Sequence, residues 1–489
     1  MLSGPVKADA SGVKNQWHYE RHRPEQSLLY QTVERVYPDF LEQLAGQGKS
    51  IPRYVQREFE DYLKCGRLEH GFLRVRCEDC HSERLVAFSC KRRGFCPSCG
   101  ARRMVESAAL LIDNILPQLP MRQWVLSVPF QLRFLFASQP QVMGKVLGIV
   151  YRAIETHIIK QAGETRNTAR TGAVTLIQRF GSALNLNIHF HMLFLDGVYV
   201  VDHQPRVFRR TKAPTPEVLD RLIQTISHRI GRYLERAGLL VRDVENSYLQ
   251  LDAVDESAMD DLLGHSITYR IALGPQAGRK AFVLQTVPAR EESSNHPRLA
   301  RANGFSLHAG VAANAHQRHK LERLCRYIAR PAVSTERMAL TQQGNIRYTL
   351  KTPYRDGTTH IVLEPLDFIA RLAALVPKPR VNLTRFHGVF APNSALRKQV
   401  TSKASCNRAA QSDELKSPAQ SRAAMTWAQR LKRVFNIDIQ TCSQCGGNVR
   451  VIACIEDPAV IKKILEHLEQ RTESVKRTPH PARAPPTPT

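Results

Sequence analysis

The chain has 489 residues, of which 43% are hydrophobic, enough for two to four domains with at least one sizeable core, so it is not an intrinsically disordered protein. Its 70 lysines and arginines stand against 44 aspartates and glutamates, and the formal charge of +26 favours a polyanionic partner, for which we expect nucleic acid. It shows no signal peptide and no apolar run of membrane-spanning length, so we expect a soluble cytoplasmic protein.

The hydrophobic pattern predicts a mixture of helices and strands. We expect helices around 29–44 and 55–63, short strands and turns from 65 to 103, and a helix at 104–116. Further on we expect strands at 124–130, 172–180, 184–199 and 281–288, and helices at 141–159, 214–240, 252–263 and 318–330. The Asp196-Gly197 dipeptide is typical of a hairpin turn. The fold class is therefore α+β, with a small, mainly antiparallel sheet and helices on one face.

Composition along the chain indicates seven segments. We expect a polar N-terminal tail at 1–24, a helical and cysteine-containing domain at 25–116, a mixed core domain at 117–376 and its extension at 377–400. A linker at 401–424, a small Cys-x2-Cys segment at 425–470 and a disordered Pro-rich tail at 471–489 complete the prediction.

The strongest local signal is a pair of Cys-x2-Cys motifs. Cys77 and Cys80 are separated from Cys96 and Cys99 by 15 residues, which matches a four-thiolate Zn²⁺ site closed by a hairpin. Four thiolates leave no open position for a substrate, so the site would stabilise a small fold.

Other cysteines allow different groupings. Cys65 and Cys90 are alternative or second-site ligands, although small buried thiols are the simpler interpretation. Cys442 and Cys445 form half of a zinc knuckle, and with only Cys454 nearby the remaining ligands are missing locally.

Basic residues surround the first cysteine motifs. Their functional interpretation is contact with DNA phosphates, and the alternative is a solvated surface. These residues are Lys91, Arg92, Arg93, Arg102 and Arg103.

Two histidines occupy an apolar strand. His189 and His191 lie two residues apart, so both point to one face while Phe190 and its apolar neighbours point to the other. Two imidazoles on one face can hold a divalent metal, whereas the alternative is a pair of hydrogen-bonded core histidines.

A tyrosine lies on the predicted helix 318–330. An apolar stripe on that helix comprises Leu321, Leu324, Cys325 and Ile328. Tyr327 lies beside the stripe on a basic flank, where a phenol is a candidate nucleophile, although such a tyrosine is most often a boundary residue. The basic flank comprises Lys320, Arg323 and Arg330.

Together these segments resemble the rolling-circle insertion-sequence transposases of the HUH nuclease superfamily, in the bacterial group with an N-terminal zinc-binding domain. The resemblance extends from about residue 65 to 397, more weakly to 468. It is carried by the cysteine motifs, by 178–187 leading into His189-Phe190-His191, and by LERLCRYIARP (321–331), KTPYRDGT (351–358) and RFHGVFAP (385–392).

The resemblance implies an HUH-type antiparallel sheet with flanking helices at 117–376, preceded by a zinc-ribbon-like domain. It implies that His189 and His191 hold Mg²⁺ or Mn²⁺, and that Tyr327 attacks single-stranded DNA to give a 5′-phosphotyrosine and a free 3′-hydroxyl. The protein would then act in a bacterial cytoplasm, associated with the nucleoid.

Two features depart from the family pattern. Some members carry paired tyrosines four residues apart, but Arg323 occupies the position four before Tyr327, so this chain resembles a single-tyrosine variant. The third metal ligand is also not readable from the sequence, and the candidates are Gln178, His360 and His387.

Three functions are therefore consistent with the sequence. The first is a DNA strand transferase. The second is a non-catalytic zinc-containing DNA-binding protein, and the third is a metal phosphoesterase that uses water in place of tyrosine.

Overall fold

A computed structural model describes residues 17–18, 23–201, 207–242, 247–249, 257–289, 298–401, 437–438 and 440–477. The predicted polar tail up to residue 16, the linker from 402 to 424 and the Pro-rich tail beyond 477 lie outside the described residues.

The described residues form eleven α-helices. They are α1 (Leu28–Gly46), α2 (Arg53–Lys64), α3 (Pro97–Leu110), α4 (Phe130–Ser138), α5 (Pro140–Gln161), α6 (Pro216–Arg236), α7 (Ala258–Thr268), α8 (Arg318–Ile328), α9 (Pro365–Leu375), α10 (Arg397–Val400) and α11 (Pro458–Arg477).

The strands are numbered in the same way. They are β1 (Trp17–His18), β2 (Phe72–Cys77), β3 (Glu83–Ala87), β4 (Met121–Ser127), β5 (Ala169–Arg170), β6 (Gly172–Phe180), β7 (Leu186–Leu195), β8 (Gly197–Val200), β9 (Phe208–Arg210), β10 (Leu240–Arg242), β11 (Ser247–Leu249), β12 (Phe282–Gln285), β13 (Leu299–Ala302), β14 (Phe305–Ala313), β15 (Met338–Leu340), β16 (Ile346–Thr349), β17 (Thr358–Leu363), β18 (Thr384–Gly388), β19 (Ile437–Asp438) and β20 (Val449–Ile455).

The chain divides into two units. The first unit combines Met1–Tyr30, Glu60–Lys91 and Trp427–Thr489, and the second combines Gln31–Phe59 and Arg92–Thr426. The first unit contains a three-stranded antiparallel sheet in the order β20-β2-β3. Because β20 pairs with β2, opposing Val449 to Cys77, the last cysteine motif lies beside the first one in space.

The second unit contains a six-stranded antiparallel sheet in the order β13-β14-β4-β7-β6-β18. A separate four-stranded antiparallel sheet has the order β12-β17-β16-β15. Helices and antiparallel sheets in one chain confirm the predicted α+β class.

Helices cover both faces of the six-stranded sheet, which corrects the prediction of one covered face. On one face Phe190 stacks against Phe136 of α4, with ring centroids 6.1 Å apart, and Phe194 stacks against Tyr151 of α5 at 5.6 Å. On the other face the apolar stripe of α8 is buried in a cluster with sheet residues that include Leu193. A central sheet this thoroughly covered needs apolar residues on both sides of its middle strands.

Three local predictions were wrong. The Asp196-Gly197 dipeptide does not close a hairpin, because β8 pairs with β5 and β9 and the chain leaves the large sheet. A side chain at Gly197 would lie 2.3 Å from the Arg209 carbonyl oxygen, so the glycine serves this close approach.

The other two concern helix limits. Helix α3 begins at Pro97, seven residues before the predicted start, because Pro97 suits the first position of a helix. Helix α11 continues to Arg477 through the start of the predicted tail. Within the described part of the chain, no helix combines the length and apolarity needed to cross a membrane.

Candidate functional site

His189 and His191 project from the middle strand β7 onto the face covered by α8. Their ring centroids are 4.8 Å apart, which confirms that alternation along the strand brings both imidazoles to one side. His191 is buried, and the residues opposite the two histidines across the sheet are Leu176 and Gln178 on β6 and Val125 and Ser127 on β4.

The hydrogen bonds of the two rings leave both Nε2 atoms for a ligand. His189 Nδ1 lies 2.9 Å from the backbone oxygen of Asn187, so Nδ1 carries the proton and Nε2 keeps a lone pair. His191 Nδ1 lies 2.7 Å from the side-chain amide of Gln123. A half-turn of that amide would present its oxygen to Nδ1–H, and His191 Nε2 is a buried atom without a hydrogen-bond partner.

Burial keeps both imidazoles neutral. Desolvation lowers the pKa of His189 to about 4. The pKa of His191 falls to about 2, mainly because of desolvation and, to a smaller extent, because of electrostatic repulsion from His189. Arg330 adds to the lowering at both rings. Neutral imidazoles with free Nε2 atoms are the protonation state in which histidine binds a divalent metal.

Two amide side chains place oxygen atoms on this face that could serve as ligands. Gln178 lies directly opposite His189 in the β6–β7 register, and its Nε2 donates to the Ile328 carbonyl at 3.0 Å, so Oε1 can serve as a ligand. Asn187 precedes His189 by two residues on the same face, and its Oδ1 is buried without a hydrogen-bond partner. Two imidazole nitrogens and two amide oxygens fit Mg²⁺ or Mn²⁺.

The other two candidates for the third ligand lie elsewhere. His387 on β18 opposes Ala173, which opposes Phe194, so it belongs to the apolar face, where its ring stacks on Tyr151 at 4.7 Å. His360 lies on β17 of the four-stranded sheet, with Thr359 Oγ1 2.8 Å from its Nδ1. The sequence did not single out Asn187, although its place in the Asn-x-His-x-His alternation was visible.

Helix α8 brings Tyr327 to the histidine face. Leu321, Cys325 and Ile328 are buried, whereas the Tyr327 side chain is 43% exposed, as the predicted stripe requires. The hydrogen bond from Gln178 to Ile328 connects the residue opposite His189 to the residue that follows Tyr327. The tyrosine and the histidines therefore belong to one region of the second unit.

Cations and aromatic rings surround Tyr327 in a pocket of about 280 Å³. The Arg330 guanidinium carbon is 4.4 Å from the centre of the Tyr327 ring, and the Lys351 ammonium is 4.0 Å from it. The pocket lining contains no carboxylate and comprises Phe180, Gly181, Ser182, Tyr327, Arg330, Arg337, Lys351, Thr352, Pro353 and Tyr354. This composition suits an anion joined to a flat ring, as in a nucleotide.

The other predicted basic residues of α8, Lys320 and Arg323, are exposed. Some of the basic residues near the cysteine motifs make contacts inside the second unit. Arg93 donates to the Val381 carbonyl at 2.8 Å, and Arg103 donates to the Arg92 carbonyl at 3.1 Å.

The same region holds a buried carboxylate. Desolvation raises the pKa of buried Glu58, and the Gly94 N–H together with Arg92, Arg103 and Arg93 opposes that rise. Arg102 forms an ion pair with Glu106 at 3.0 Å. Part of the predicted basic rim therefore balances the protein's own acids.

A group of four cysteines in the first unit corrects the predicted zinc site. Cys77 and Cys80 lie with Cys442 and Cys445, and all four sulfur atoms fall within 4.8 Å of one another. The Cys77–Cys445 and Cys80–Cys442 sulfur distances are 3.4 and 3.5 Å, close to the edge of about 3.8 Å for a zinc tetrahedron with 2.3 Å bonds. We call these residues the four-thiol group.

Charge in the four-thiol group is shared unequally. Backbone N–H groups of Gln444 and Cys445 lower the pKa of Cys442 to about 6. The Ser82 N–H favours the thiolate of Cys80, but the thiols of Cys445 and Cys442 beside it raise its pKa to about 12. Zn²⁺ would replace these shared protons.

Four further cysteines lie in two pairs. The sulfur atoms of Cys96 and Cys99, both buried at the start of α3, lie within 4.8 Å of each other, as do those of Cys65 and Cys90 in the first unit. The Cys90 N–H donates to Cys65 Sγ at 3.3 Å. These contacts and the four-thiol group support structural zinc.

Comparison with known families assigns the chain to a class. A transposase zinc-binding domain profile of IS91 type matches residues 32–128, and the Y2_Tnp transposase profile matches residues 172–399. No curated protein and no solved structure matches the chain.

The two matches together cover more than half of the sequence and define a transposase that carries a zinc-binding domain. The chain belongs to the IS91 family of rolling-circle transposases, which confirms the resemblance found in the sequence. DNA is therefore its partner, and cleavage and transfer of DNA strands is the general activity of its class.

Proposed function

We propose that this transposase nicks and rejoins single-stranded DNA by attack of Tyr327 at the HUH-type histidine face. The observation that carries the proposal is the placement of α8. Its stripe packs on the histidine face, and the Gln178 amide bridges from the strand position opposite His189 to the turn that bears Tyr327.

The residues of that face fit a divalent metal. His189 and His191 would hold Mg²⁺ or Mn²⁺ through Nε2, with the amide oxygens of Gln178 and Asn187 as further ligands. Such a metal supplies Lewis-acid polarisation of the scissile phosphate. The protein's own contribution is to keep both imidazoles neutral and to fix their rings through Nδ1.

Tyr327 supplies the nucleophile. Its phenolic oxygen forms a bond to phosphorus while the bond from phosphorus to the 3′ oxygen breaks, which gives a 5′-phosphotyrosine and a free 3′-hydroxyl. A later 3′-hydroxyl reverses the step and joins strands without ATP, because the covalent intermediate conserves the bond energy. Arg330 and Lys351 hold the ring and attract the phosphate.

Further DNA contacts come from the exposed cations of α8. Lys320 and Arg323 lie on the solvent side of the helix and would follow the strand that enters the pocket. The basic residues Lys91, Arg92, Arg93, Arg102 and Arg103 remain candidates for phosphate contacts, with Arg93 and Arg103 held in place by backbone carbonyls.

The test is covalent capture. The protein is mixed with Mg²⁺ and a labelled single strand copied from the DNA that flanks its gene, and the products are separated on a denaturing gel. We expect wild type and the control Tyr233→Phe, altered on α6, to form a protein–DNA adduct. Tyr327→Phe should form at least 100-fold less while it keeps zinc content and DNA affinity.

The alternatives give different products. A metal phosphoesterase would cleave the strand and leave no DNA on the protein. A non-catalytic zinc-containing DNA-binding protein would bind in a salt-sensitive manner and leave the strand intact. An adduct in Tyr327→Phe equal to that of wild type would show that another residue is the nucleophile.

A further inference from the structure

We propose that the solvent-facing side of the four-stranded sheet binds single-stranded DNA, and that unpaired bases stack there on Phe282 beside the pocket of Tyr327. The sheet is formed by β12, β17, β16 and β15, apart from both α8 and the histidine face. The inference rests on the proposed function in one respect, because it takes the pocket as the place where the strand is cut.

The register of the sheet places its side chains in rows. One row across the four strands consists of Phe282, Val362, Arg347 and Ala339, which oppose one another in turn. The next row on the same side consists of Leu284, His360 and Thr349. We call the residues of these two rows the open sheet face.

The open sheet face is accessible, whereas the other side of the sheet is buried at its centre. Phe282 is 63% exposed, the largest exposed fraction of any large apolar side chain within the described ranges, and Arg347 is also exposed. A phenylalanine on the solvated side of a sheet is suited to a partner with flat apolar groups. The buried positions of the other side are Met338, Ile346, Tyr348, Ile361 and Leu363.

The charge of the open sheet face favours a nucleic acid strand over a protein segment. The four strands contain no Asp or Glu, and Arg347 lies in the same row as Phe282, about 10 Å away across two strand spacings. An exposed ring and a guanidinium together offer a stacking partner to a base and a cation to a phosphate. Unpaired bases present their flat faces, so the surface fits a single strand better than a duplex.

His360 adds a second ring to the open sheet face. It is half-buried, and Thr359 Oγ1 lies 2.8 Å from its Nδ1 and 2.7 Å from Thr286 Oγ1, so these contacts hold the ring through Nδ1. The His360 row and the Phe282 row are two residues apart along the strands, or about 7 Å. One strand could therefore contact both rings with nearby nucleotides.

The open sheet face continues to the pocket of Tyr327. The segment between β16 and β17 supplies Lys351 and its neighbours to the pocket lining, and Arg337, which also lines the pocket, directly precedes β15. The Lys351 ammonium is 4.0 Å from the centre of the Tyr327 ring. Because Thr349 is the last residue of β16, the His360 row lies at the end of the sheet from which Lys351 reaches the pocket.

The first experiment measures binding. Fluorescence anisotropy follows a labelled thymidine strand of about 20 nucleotides on the full, zinc-loaded chain without Mg²⁺, so that binding is separated from cleavage. Phe282→Ala should weaken binding about tenfold, as expected for the loss of one stacked base. Phe282→Leu keeps apolar area without the ring and should bind nearly as weakly, whereas Phe282→Trp should bind at least as tightly as wild type.

The control for the aromatic residue comes from the same sheet. Leu340→Ala removes an exposed apolar side chain from the side of the sheet opposite Phe282. It should bind the thymidine strand within twofold of wild type. Thermal unfolding of every variant checks that the folded fraction is equal.

Arg347→Gln tests the phosphate contact. It should reduce the slope of log affinity against log salt concentration by about 0.7, the value for one phosphate contact on a single strand. Arg232→Gln removes an exposed cation from α6 and should leave the slope unchanged.

Photocrosslinking locates the strand. A thymidine strand that carries one 5-iodouracil is irradiated on wild type, and the linked peptides are mapped by mass spectrometry. We expect the peptide that contains Phe282, with the crosslink lost in Phe282→Ala and retained in Tyr327→Phe.

The outcomes distinguish this surface from the proposed function. Unchanged affinity in Phe282→Ala, affinity in Phe282→Leu equal to that of wild type, or crosslinks that avoid the sheet would overturn the inference. A change in sedimentation mass in Phe282→Ala with unchanged DNA affinity would instead assign the face to contact between copies of the chain. Binding and crosslinks as expected, with no adduct on Tyr327 when Mg²⁺ is added, would overturn the proposed function and leave the binding surface in place.

Discussion

The four-thiol group and the histidine face are two different solutions to metal binding in one chain. The four-thiol group supplies four sulfur donors whose spacing matches a closed tetrahedron. The histidine face supplies two nitrogen and two oxygen donors, with His191 Nε2 and Asn187 Oδ1 left without partners. A closed donor set indicates a structural role, and an open set beside a pocket indicates a site for chemistry.

The two sites also differ in how the chain assembles them. The histidine face is local, because alternation along β7 brings Asn187, His189 and His191 together within five residues. The four-thiol group joins residues separated by 368 positions, and it depends on the pairing of β20 with β2. Loss of a sulfur donor should therefore unfold the region around the four-thiol group, whereas loss of a donor from the histidine face should abolish activity and leave the fold intact.

The largest effect is expected in the four-thiol group. Cys445→Ser should lose one equivalent of zinc relative to wild type and destabilise the first unit by about 5 kcal/mol or more, because structural zinc contributes directly to folding. Zinc analysis and thermal unfolding measure this. Cys454→Ser is the matched control, since Cys454 is exposed on β20 outside the group. Full zinc content in Cys445→Ser would contradict the grouping.

The next effect concerns the histidine face. His191→Ala should reduce metal-dependent adduct formation about 1,000-fold, since metal polarisation is worth several kcal/mol in the transition state. His387→Ala is the control, because it removes another histidine with a pKa lowered by burial, from the opposite face of the same sheet. Equal losses of activity in the two variants, at equal folded fractions, would argue for a merely structural role.

Smaller changes are expected from the amide ligands. Asn187→Ala and Gln178→Ala should each weaken Mn²⁺ binding about 10- to 100-fold, as measured by calorimetry on the zinc-loaded protein. Asn187→Asp keeps an oxygen ligand and should bind at least as tightly as wild type. If alanine and aspartate at 187 behave alike, Asn187 is not a ligand.

The smallest effect is a pH dependence of stability. Desolvation, with help from Arg385, lowers the pKa of His387 to about 4, against about 6.5 in the unfolded chain. Below pH 6.5 the unfolded state binds a proton at His387 that the folded state does not bind. The free energy of unfolding therefore falls by about 1–2 kcal/mol between pH 6.5 and pH 5.

The check is denaturant unfolding across this pH range. His387→Phe keeps the ring that stacks on Tyr151 and should flatten part of the slope. A slope unchanged by the substitution would show that His387 does not titrate in this way.

The sequence predicted those features that depend on the periodicity of a single helix or strand. The apolar stripe of α8 was readable because burial recurs every three to four residues, and the histidine pair because side chains alternate along a strand. Tyr327 and the pair His189 and His191 could each be identified from these patterns. Their proximity, however, depends on how α8 packs on the sheet. The bridge from Gln178 to Ile328 spans 150 positions and leaves no local signal.

Structural zinc was predicted, but the grouping of its ligands differs from the prediction for the same physical reason. The spacing of Cys77-Cys80 and Cys96-Cys99 suited one site, but spacing measures distance along the chain only. Cys96 precedes α3 directly and Cys99 lies in its first turn, whereas the pairing of β20 with β2 places Cys442 and Cys445 beside Cys77 and Cys80. The unused half-knuckle at Cys442 and Cys445 was the one sign of a partner elsewhere.

The central claim is that the histidine face and Tyr327 act together on one phosphate. The most direct measurement titrates Mn²⁺ against wild type with a labelled single strand and maps the DNA-linked peptide at each concentration. The account predicts a metal-dependent adduct on the peptide that contains Tyr327, absent from His191→Ala at the same metal concentrations. Cleavage that leaves a free 5′-phosphate end, or an adduct that forms fully without metal, would contradict it.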